Sequence, residues 1–538
     1  MKKSHLSIGL IAVVLIILIL HINYLRFICD DAFISFRYAK NFVEGHGLVY
    51  NIGERVEGYM NFLWTLFLSA FIGLGMDVVV VSQVLGILFS LSTVLLLLYF
   101  NRKLYPEESL FNYLAPLFLG CCGAYAAWAT GGLETSFYTF LVFLGSFLFI
   151  TGMNKPRYFI FSGMAFALVC ITRLDGLIFA GITFIWLFYL TVFKKRIEFK
   201  ALVIWTLCFL VPFLTYFFWR WSYYGRFLPN TFYVKVGGMS FYRQGFLYVL
   251  DFVKRFWIWL FIVPFVFLNK SARANSKLNI IIPYFTSLIV VFFLYVVYVG
   301  GDFMDMYRFL VPILPFFFFL AQEGFRGMYH YSRSKTSLQD SLKGKRRSKP
   351  NLTEIKNRKV ILIAMETSLI IFIMILLAFP SIESNREWNR NGIDSIGLLR
   401  EYSRLWTKVG LMFKEIAKPG ESLSTRAAGA IPYYSGLYAI DELLLTLKPY
   451  PTLKVHNVPR VGHQKVVPME FLASKKPTHI LNHPQIRDEY IQPEEIPVDS
   501  LFSNIGYKML ITSIYMSKKE TKYFYCLSLK TNNSKKLK

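Results

Sequence analysis

Acidic residues are scarce in this chain: 33 Asp and Glu stand against 59 Lys and Arg, a formal net charge of +26. Charged residues of both signs make up only 17% of the 538 residues, too few to coat a water-soluble protein of this size. Cysteine is sparse too. The six (Cys29, Cys121, Cys122, Cys170, Cys208, Cys526) lie mostly in apolar segments. They show neither the paired spacing of an extracellular disulfide framework nor that of a zinc site, and Cys121-Cys122 reads as helix filler. Apart from a basic, polar tail at Lys530–Lys538, no repeat or low-complexity tract is found. A dense patch of positive charge lies in residues 322–359, which hold eleven Lys and Arg against Glu323, Asp340 and Glu354. Such a cluster between two spans is first a topology signal and second an attraction to anionic lipid. With no recognisable nucleic-acid module, no nucleic-acid partner is expected.

What the chain has is apolar surface: 55% of residues are hydrophobic and 18% aromatic. That composition predicts a polytopic α-helical membrane protein. Runs of spanning length lie near 7–25, 78–100, 111–129, 135–152, 158–172, 175–193, 201–219, 251–268, 278–298, 308–321 and 360–379, so about eleven transmembrane helices are expected. The first follows Met1-Lys2-Lys3 like a signal peptide, but no small-residue cleavage pattern comes after it, so it is read as retained. Residues 61–75 are also apolar and are read as a helix that lies in the outer interface or re-enters shallowly. On that reading the basic connections 101–103, 155–157, 194–196, 270–277 and 322–359 all face the cytoplasm with the amino terminus. The outward loop 220–243 is the exception, carrying Arg220, Arg226, Lys235 and Arg243 without an acid. Residues 1–380 thus form a transmembrane catalytic domain, with a first outer loop at 26–77 and a cytoplasmic basic loop at 322–359. Residues 381–538 form a soluble extracytoplasmic α/β domain. Its helix-like periodicity is at 396–416 and 467–474, and its strand-like runs at 421–426, 437–440, 478–481, 507–516 and 522–528.

Two adjacent carboxylates, Asp30-Asp31, follow the first span by a few residues. Acids at a span end are costly to keep, which marks them as functional. At headgroup depth, one could take a proton from an acceptor hydroxyl attacking an anomeric carbon. The departing polyprenyl phosphate would need Arg, Lys or a divalent metal to stabilise its charge. One attack and one departure imply a single displacement with inversion. Other turns add charge on the same predicted face: Gly131-Gly132-Leu133-Glu134-Thr135, Arg173-Leu174-Asp175-Gly176, and Gly300-Gly301-Asp302 through Arg308.

The string Asp30-Asp31-Ala32-Phe33-Ile34-Ser35-Phe36-Arg37-Tyr38-Ala39 is followed by Gly45-His46-Gly47-Leu48-Val49-Tyr50-Asn51 and Gly53-Glu54-Arg55-Val56-Glu57-Gly58-Tyr59. Together with the Gly-Gly turns and Ala427-Ala428-Gly429-Ala430-Ile431-Pro432-Tyr433-Tyr434-Ser435-Gly436, these closely resemble a bacterial GT-C glycosyltransferase family. That family includes the terminal arabinofuranosyltransferases of cell-wall arabinan, and the resemblance runs from about residue 26 to 482. It implies the GT-C fold, a polyprenyl-phosphate sugar donor, an envelope glycan, lipid or protein acceptor, transfer at the outer face of the bacterial cytoplasmic membrane, and a catalytic acid at Asp30 or Asp31. The chain departs from the pattern at Gln464, where Glu is usual, and at Leu444, a place often held by Gly.

Asp30 is read as the base, with Asp31 orienting it or the acceptor; the alternative is an ion pair with Arg37 or Arg55. Arg37, Arg173, Lys235 and Arg308 are candidate ligands of donor phosphate. His46, Glu57, Tyr59, Glu134, Asp175 and Asp302 are candidate substrate or acceptor contacts, joined by Tyr434, His463 and Lys465 from the soluble domain. Plainer readings stand beside these: a turn for His46, interfacial anchoring for Tyr59, fold-stabilising contacts in the soluble domain. The sequence assigns no certain cofactor; the two acids Asp30-Asp31 also suit an oxygen-ligated divalent metal ion. The competing function is a polytopic transporter or flippase of lipid-linked saccharides. Acids kept at span ends, rather than mid-span, favour the enzyme.

Overall fold

In a bilayer every backbone polar group needs an internal partner, so long apolar runs become helices. The computed structural model of the protein describes residues 2–106, 110–235, 241–268, 277–343, 352–448, 456–457, 465–517 and 520–529. Among these, seven helices are long and apolar enough to cross a membrane: Ile8–Leu25, Val78–Leu104, Thr135–Gly152, Phe199–Tyr224, Leu278–Val299, Arg308–Tyr331 and Thr367–Ser384. Phe62–Gly73, Leu110–Cys121, Tyr158–Thr172 and Gly176–Val192 are shorter apolar helices. This is a multi-pass membrane protein.

Three expected segments take a different form. Residues 251–268 are not one span, but the end of an amphipathic helix Tyr242–Arg255, a turn of helix at Trp259–Ile262 and a 3-10 stretch at Val263–Leu268. Asp251, Lys254 and Arg255 load this stretch with charge, and Pro264 lacks the N–H that a continuing ladder needs. The run at 111–129 breaks at Cys122, which is extended (ψ 114°) between two helical pieces. A Cβ on the next residue, Gly123, would lie 2.3 Å from the Ser381 hydroxyl, so the close helix crossing depends on glycine there. The basic region 322–359 is helical on both sides, within Leu314–Lys343 and Leu352–Ser384. Its first members are not loop residues at all. Glu323 and Arg326 form a buried pair (3.2 Å) capped by Tyr105, whose hydroxyl donates to Glu323 (2.5 Å).

The helix α1 (Lys2–Leu25) leads through a short extended link into α2 (Asp30–Val43), and α3 (Phe62–Gly73) packs against α2. Asp30 and Asp31 fill the first turn of α2, where carboxylates oppose the exposed N–H groups favourably. Charge is segregated along the bundle. Val78–Leu104, about 40 Å long by its residue count, starts beside the acid-bearing turns and ends at Arg102 and Lys103. Lys103 there senses Lys155 and Lys277 from two other basic connections. Acids and basic connections therefore sit at opposite ends of the same helices.

The carboxyl-terminal region carries a five-stranded sheet with β1 (Ser422–Thr425), β2 (Tyr438–Asp441), β3 (His479–Arg487), β4 (Tyr507–Ser517) and β5 (Glu520–Leu529) in the order β2-β1-β3-β5-β4. β1 runs parallel to β2 and β3, while β5 is antiparallel to β3 and β4. Helix Ile396–Ile416, capped by the Ser395 hydroxyl on Leu398 N–H (3.1 Å), covers it. Helix Leu352–Ser384 runs on past residue 380, so the spanning part ends four residues beyond the expected boundary. One apolar core runs through both parts, and a second, smaller cluster, with Ile440, Leu447, Val467, Leu472, Ile480 and Tyr507, lies mostly within the carboxyl-terminal region.

The unexplained cation of the 220–243 loop has a partner after all. Arg220 is fully buried and reaches Glu57 from the first loop at 3.3 Å, while donating to the carbonyls of Arg226 and Phe227. Arg220→Met leaves Glu57 buried without its counter-charge, a loss of about 3–5 kcal/mol for a pair of this kind. Thermal unfolding of the purified variant in detergent should show it as a large drop in midpoint, and an unchanged midpoint would remove the pair's structural role.

Candidate active site

The site is assembled from four turns far apart in sequence. Cys29 N–H donates to the Gly131 carbonyl (3.1 Å), and Trp64 Nε1 donates to that of Gly132 (3.1 Å), fastening the Gly-Gly turn beneath α2. A Cβ on Gly132 would meet Ile28 and Ala32 at 2.3 and 2.8 Å, so this close approach requires glycine. Arg173 bridges two acids, Glu134 (2.8 Å) and Asp175 (2.8 Å), and Tyr138 donates to Asp175 (3.0 Å). Asn61 links this cluster to α2, donating to Glu134 (2.8 Å) and accepting from Ser35 (2.9 Å). Arg308 is held by Asp302 (2.7 Å) over the rings of Trp128 and Phe309. Arg173 lies over the same Phe309 ring (5.6 Å), and Arg308 is attracted to Asp31. Two cations and three acids thus meet beside the Asp30-Asp31 pair.

The turn carrying Arg308 is strained. Met306 and Tyr307 both have positive φ (58° and 47°), a conformation costly for side chains of that size. Trp128 Nε1 holds the Met306 carbonyl (3.1 Å), Tyr307 donates to Asp251 (2.5 Å), and Met304 pairs in parallel with Asp394. Consecutive strained residues next to a cation and an acid are typical of a functional site.

Asp30 accepts one N–H on each carboxylate oxygen, from Gly429 (3.0 Å) and Ala430 (2.7 Å). Both Asp30 and Asp31 remain partly exposed. A carboxylate has about four acceptor positions, so Asp30 keeps capacity for a substrate hydroxyl. Burial pushes its carboxyl up to about 7; the two N–H bonds oppose the rise and the Asp31 charge adds to it. That is a favourable range for a base working near neutrality. Neither acid pairs with Arg37 or Arg55: the cation near Asp31 is Arg308, and Arg55 lies over the Tyr223 ring (4.7 Å).

Several expected substrate contacts are otherwise engaged. Arg37 is no phosphate ligand, because its buried guanidinium donates to the carbonyls of Tyr50 (2.7 Å), Pro432 and Leu437 (2.7 Å) and to Asn51 (3.2 Å). Glu57 is spent on Arg220. Tyr59 is buried, with its hydroxyl 3.0 Å from that of Tyr224, and cannot stack on a sugar. Exposed His46 sits between Gly45 and Gly47, both in left-handed backbone (φ 85° and 86°), as the tip of a turn. Lys465 donates to the Tyr233 carbonyl (2.9 Å), and Tyr434 packs on Phe33. Lys235 closes helix Asn230–Lys235; its side chain and all of His463 lie outside the described residues. Arg173, Arg308, Glu134, Asp175 and Asp302 are the residues brought together.

Other residues carry the assembly without having been singled out. Tyr50 donates to the Ala428 carbonyl (2.6 Å), and Asn51 exchanges bonds with the N–H and carbonyl of Ala439 (3.1 and 2.9 Å). Both belong to the first-loop motif, which was the available signal. Leu444, standing where the resembling family often has Gly, has φ 65° in a turn whose N–H groups at Leu443 and Thr446 bond Asp441. The left-handed backbone explains the family's glycine. Among the described residues, no three His, Cys, Asp or Glu side chains cluster so as to hold a metal ion.

No protein-family model matches the chain. It is 26% identical over 327 residues to the terminal β-(1→2)-arabinofuranosyltransferase of Mycobacterium tuberculosis (strain ATCC 25618 / H37Rv), a match covering 54% of this chain and 51% of that protein. The chain thus spans about half the length of the curated relative it matches. Among solved structures, ArnT from Cupriavidus metallidurans bound to undecaprenyl phosphate aligns with 97% of this chain and 98% of its own, at TM-score 0.52 and 12% identity. ArnT from the same organism in the apo state aligns over 98% of each chain at TM-score 0.52 and 14% identity. This chain is similar in sequence to the arabinofuranosyltransferase over part of its length, and from end to end it has the ArnT-like GT-C fold.

Proposed function

We propose that this protein is an inverting glycosyltransferase that moves a sugar from a polyprenyl-phosphate donor to a hydroxyl of an envelope glycan, lipid or protein. The reaction takes place at the outer face of a bacterial cytoplasmic membrane. Arabinofuranose is the favoured sugar, on the strength of the relative's name; the undecaprenyl phosphate in the ArnT title supports the lipid carrier. The observation that carries the reading is the meeting of Asp30-Asp31 with Arg308–Asp302 and Glu134–Arg173–Asp175, at the end of the bundle opposite the basic connections. Under the positive-inside rule, that end faces outward.

In this reaction Asp30 accepts the acceptor hydroxyl's proton as the new bond from oxygen to the anomeric carbon forms. The bond from that carbon to the phosphate oxygen breaks on the opposite side, and the configuration inverts. Arg308, aided by Arg173, neutralises the charge gathering on the departing phosphate.

The test is transfer in detergent, where no transmembrane gradient exists, from a synthetic polyprenyl-phosphate arabinofuranose to an arabinan oligosaccharide, read by mass spectrometry. Failure with this sugar and with other polyprenyl-phosphate pentoses and hexoses would sink the reading. Movement of the donor across vesicles without bond cleavage would instead favour a flippase. A pH dependence follows as well. A base must be unprotonated to act, so kcat should climb as pH rises through about 7, the value to which burial lifts Asp30. A flat profile between pH 5.5 and 8.5 would contradict that role.

A further inference from the structure

The soluble domain, which the sequence suggested as an acceptor-binding surface, touches the catalytic acid itself. We propose that the segment 427–436 is a positioning element of the catalytic centre: the Gly429 and Ala430 N–H groups fix the Asp30 carboxylate in its working orientation. The inference rests on the reading of Asp30 as the base.

Four observations point the same way. The two N–H groups lie 399 and 400 residues beyond Asp30 and address separate oxygens, at 3.0 and 2.7 Å. Apolar packing alone would not impose such directionality. A Cβ on Gly429 would stand 2.0 Å from the Asp30 main-chain oxygen and 2.5 Å from its carboxyl carbon, so only hydrogen fits there. Next, α2 grips the helix Ala430–Ser435 near both ends. Asp30 takes its first N–H groups, and Arg37, about two turns further along α2, binds the carbonyls of Pro432 and Leu437. Finally, the Tyr50 hydroxyl donates to the Ala428 carbonyl (2.6 Å), and Phe33 packs between Tyr433 and Tyr434.

The groups that set the Asp30 titration are few. Burial and the Asp31 charge raise it, and the Ala430 and Gly429 N–H groups hold it down; Cys29 and Tyr50 feel the Asp30 charge in turn, and Arg308 faces Asp31 and Cys29 from the far turn. Residues 427–432 contain no titratable side chain, so this part of the soluble domain acts on Asp30 through its backbone. Hydrogen bonds to the charged form favour it. Their loss must therefore move the titration upward.

The variant Gly429→Ala displaces the segment while leaving Asp30 and Asp31 chemically intact. We expect kcat at pH 7 to fall by about 10–100-fold, donor KM to change little, and the rising limb of the pH profile to move up by about one unit. A merely structural role would reduce the active fraction without moving that limb. Tyr50→Phe loosens the same segment more gently and should shift the limb the same way, so it decides the matter if Gly429→Ala does not fold. A readout without transfer is the pH dependence of carbodiimide labelling at Asp30, which requires the protonated carboxyl; its midpoint should rise in both variants. An active wild type whose limb and labelling stay put in both variants overturns the inference. A wild type that labels normally but transfers no sugar overturns the transfer reading instead.

Discussion

Asp30→Asn should lower kcat for sugar transfer by about 10²–10⁴-fold, the range for loss of a general base, while donor KM stays near the wild-type value. The amide is nearly isosteric and keeps one oxygen to accept from Gly429 or Ala430, but its nitrogen faces the other N–H and it cannot take a proton at neutral pH. Part of the loss would come from that disturbed seat, and comparison with Gly429→Ala separates the two contributions. Repelling the segment costs orientation, whereas removing the carboxylate abolishes the proton acceptor. Asp31→Asn leaves both N–H bonds to Asp30 in place and weakens an attraction to Arg308, so a smaller decrease is expected. Transfer assays on membranes containing equal amounts of inserted protein would decide. Full turnover by the Asp30 variant with an inactive Asp31 variant would exchange the roles of the two acids; full turnover by both would end the assignment.

Arg308→Ala carries the second large effect. The guanidinium meets Asp302 through two nitrogens, Nε at 2.7 Å and Nη2 at 3.3 Å, beneath the strained Met306-Tyr307 turn. Truncating it leaves a buried carboxylate unpaired, a cost of about 3–5 kcal/mol. It also removes a positive charge that attracts Asp31. We expect kcat/KM for the lipid-linked donor to fall by at least about 10²-fold, with a lowered unfolding midpoint. Pairing the change with Asp302→Asn separates the two: the double variant should recover stability, because no unpaired charge remains, but not transfer. Arg308→Lys keeps the charge without the planar fork and should fall between. If the double variant regained donor use along with stability, Arg308 would be a structural residue only.

Much of this architecture could be read along the chain. Strand-like runs at 421–426, 437–440, 478–481, 507–516 and 522–528 fall on the five strands of the sheet, and the periodicity at 396–416 on its covering helix. Period and flanking turn residues are local properties, so a short window suffices. The acid pair and the glycine turns were visible for a related reason: ionisable residues at span ends stand out against an apolar background. The stretch 251–268 misled because its composition passes for a span, while the break depends on Pro264 and on Arg255 reaching Asp251 and Glu383.

The residues' partners were out of reach. Arg37 and Arg308 look alike in sequence, each a cation beyond an acidic turn, yet one is consumed by carbonyls of the distant segment 427–437 and the other stands beside Asp31. Glu57 and Arg220 are 163 residues apart by their numbering and still form one ion pair.

By itself the amino-acid order determined that the chain lives in a membrane, where its hydrophobic runs lie, which short runs become strands, and that acids gather at span ends. Each of these follows from free energies that add residue by residue over short stretches. Only the tertiary structure decided which charges are neutralised, which glycines a neighbour's backbone requires, and that a turn of the carboxyl-terminal region seats the proposed base. Hydrogen bonds and ion pairs act over a few ångströms in space, whatever the distance along the chain, so their partners exist only once the chain has folded.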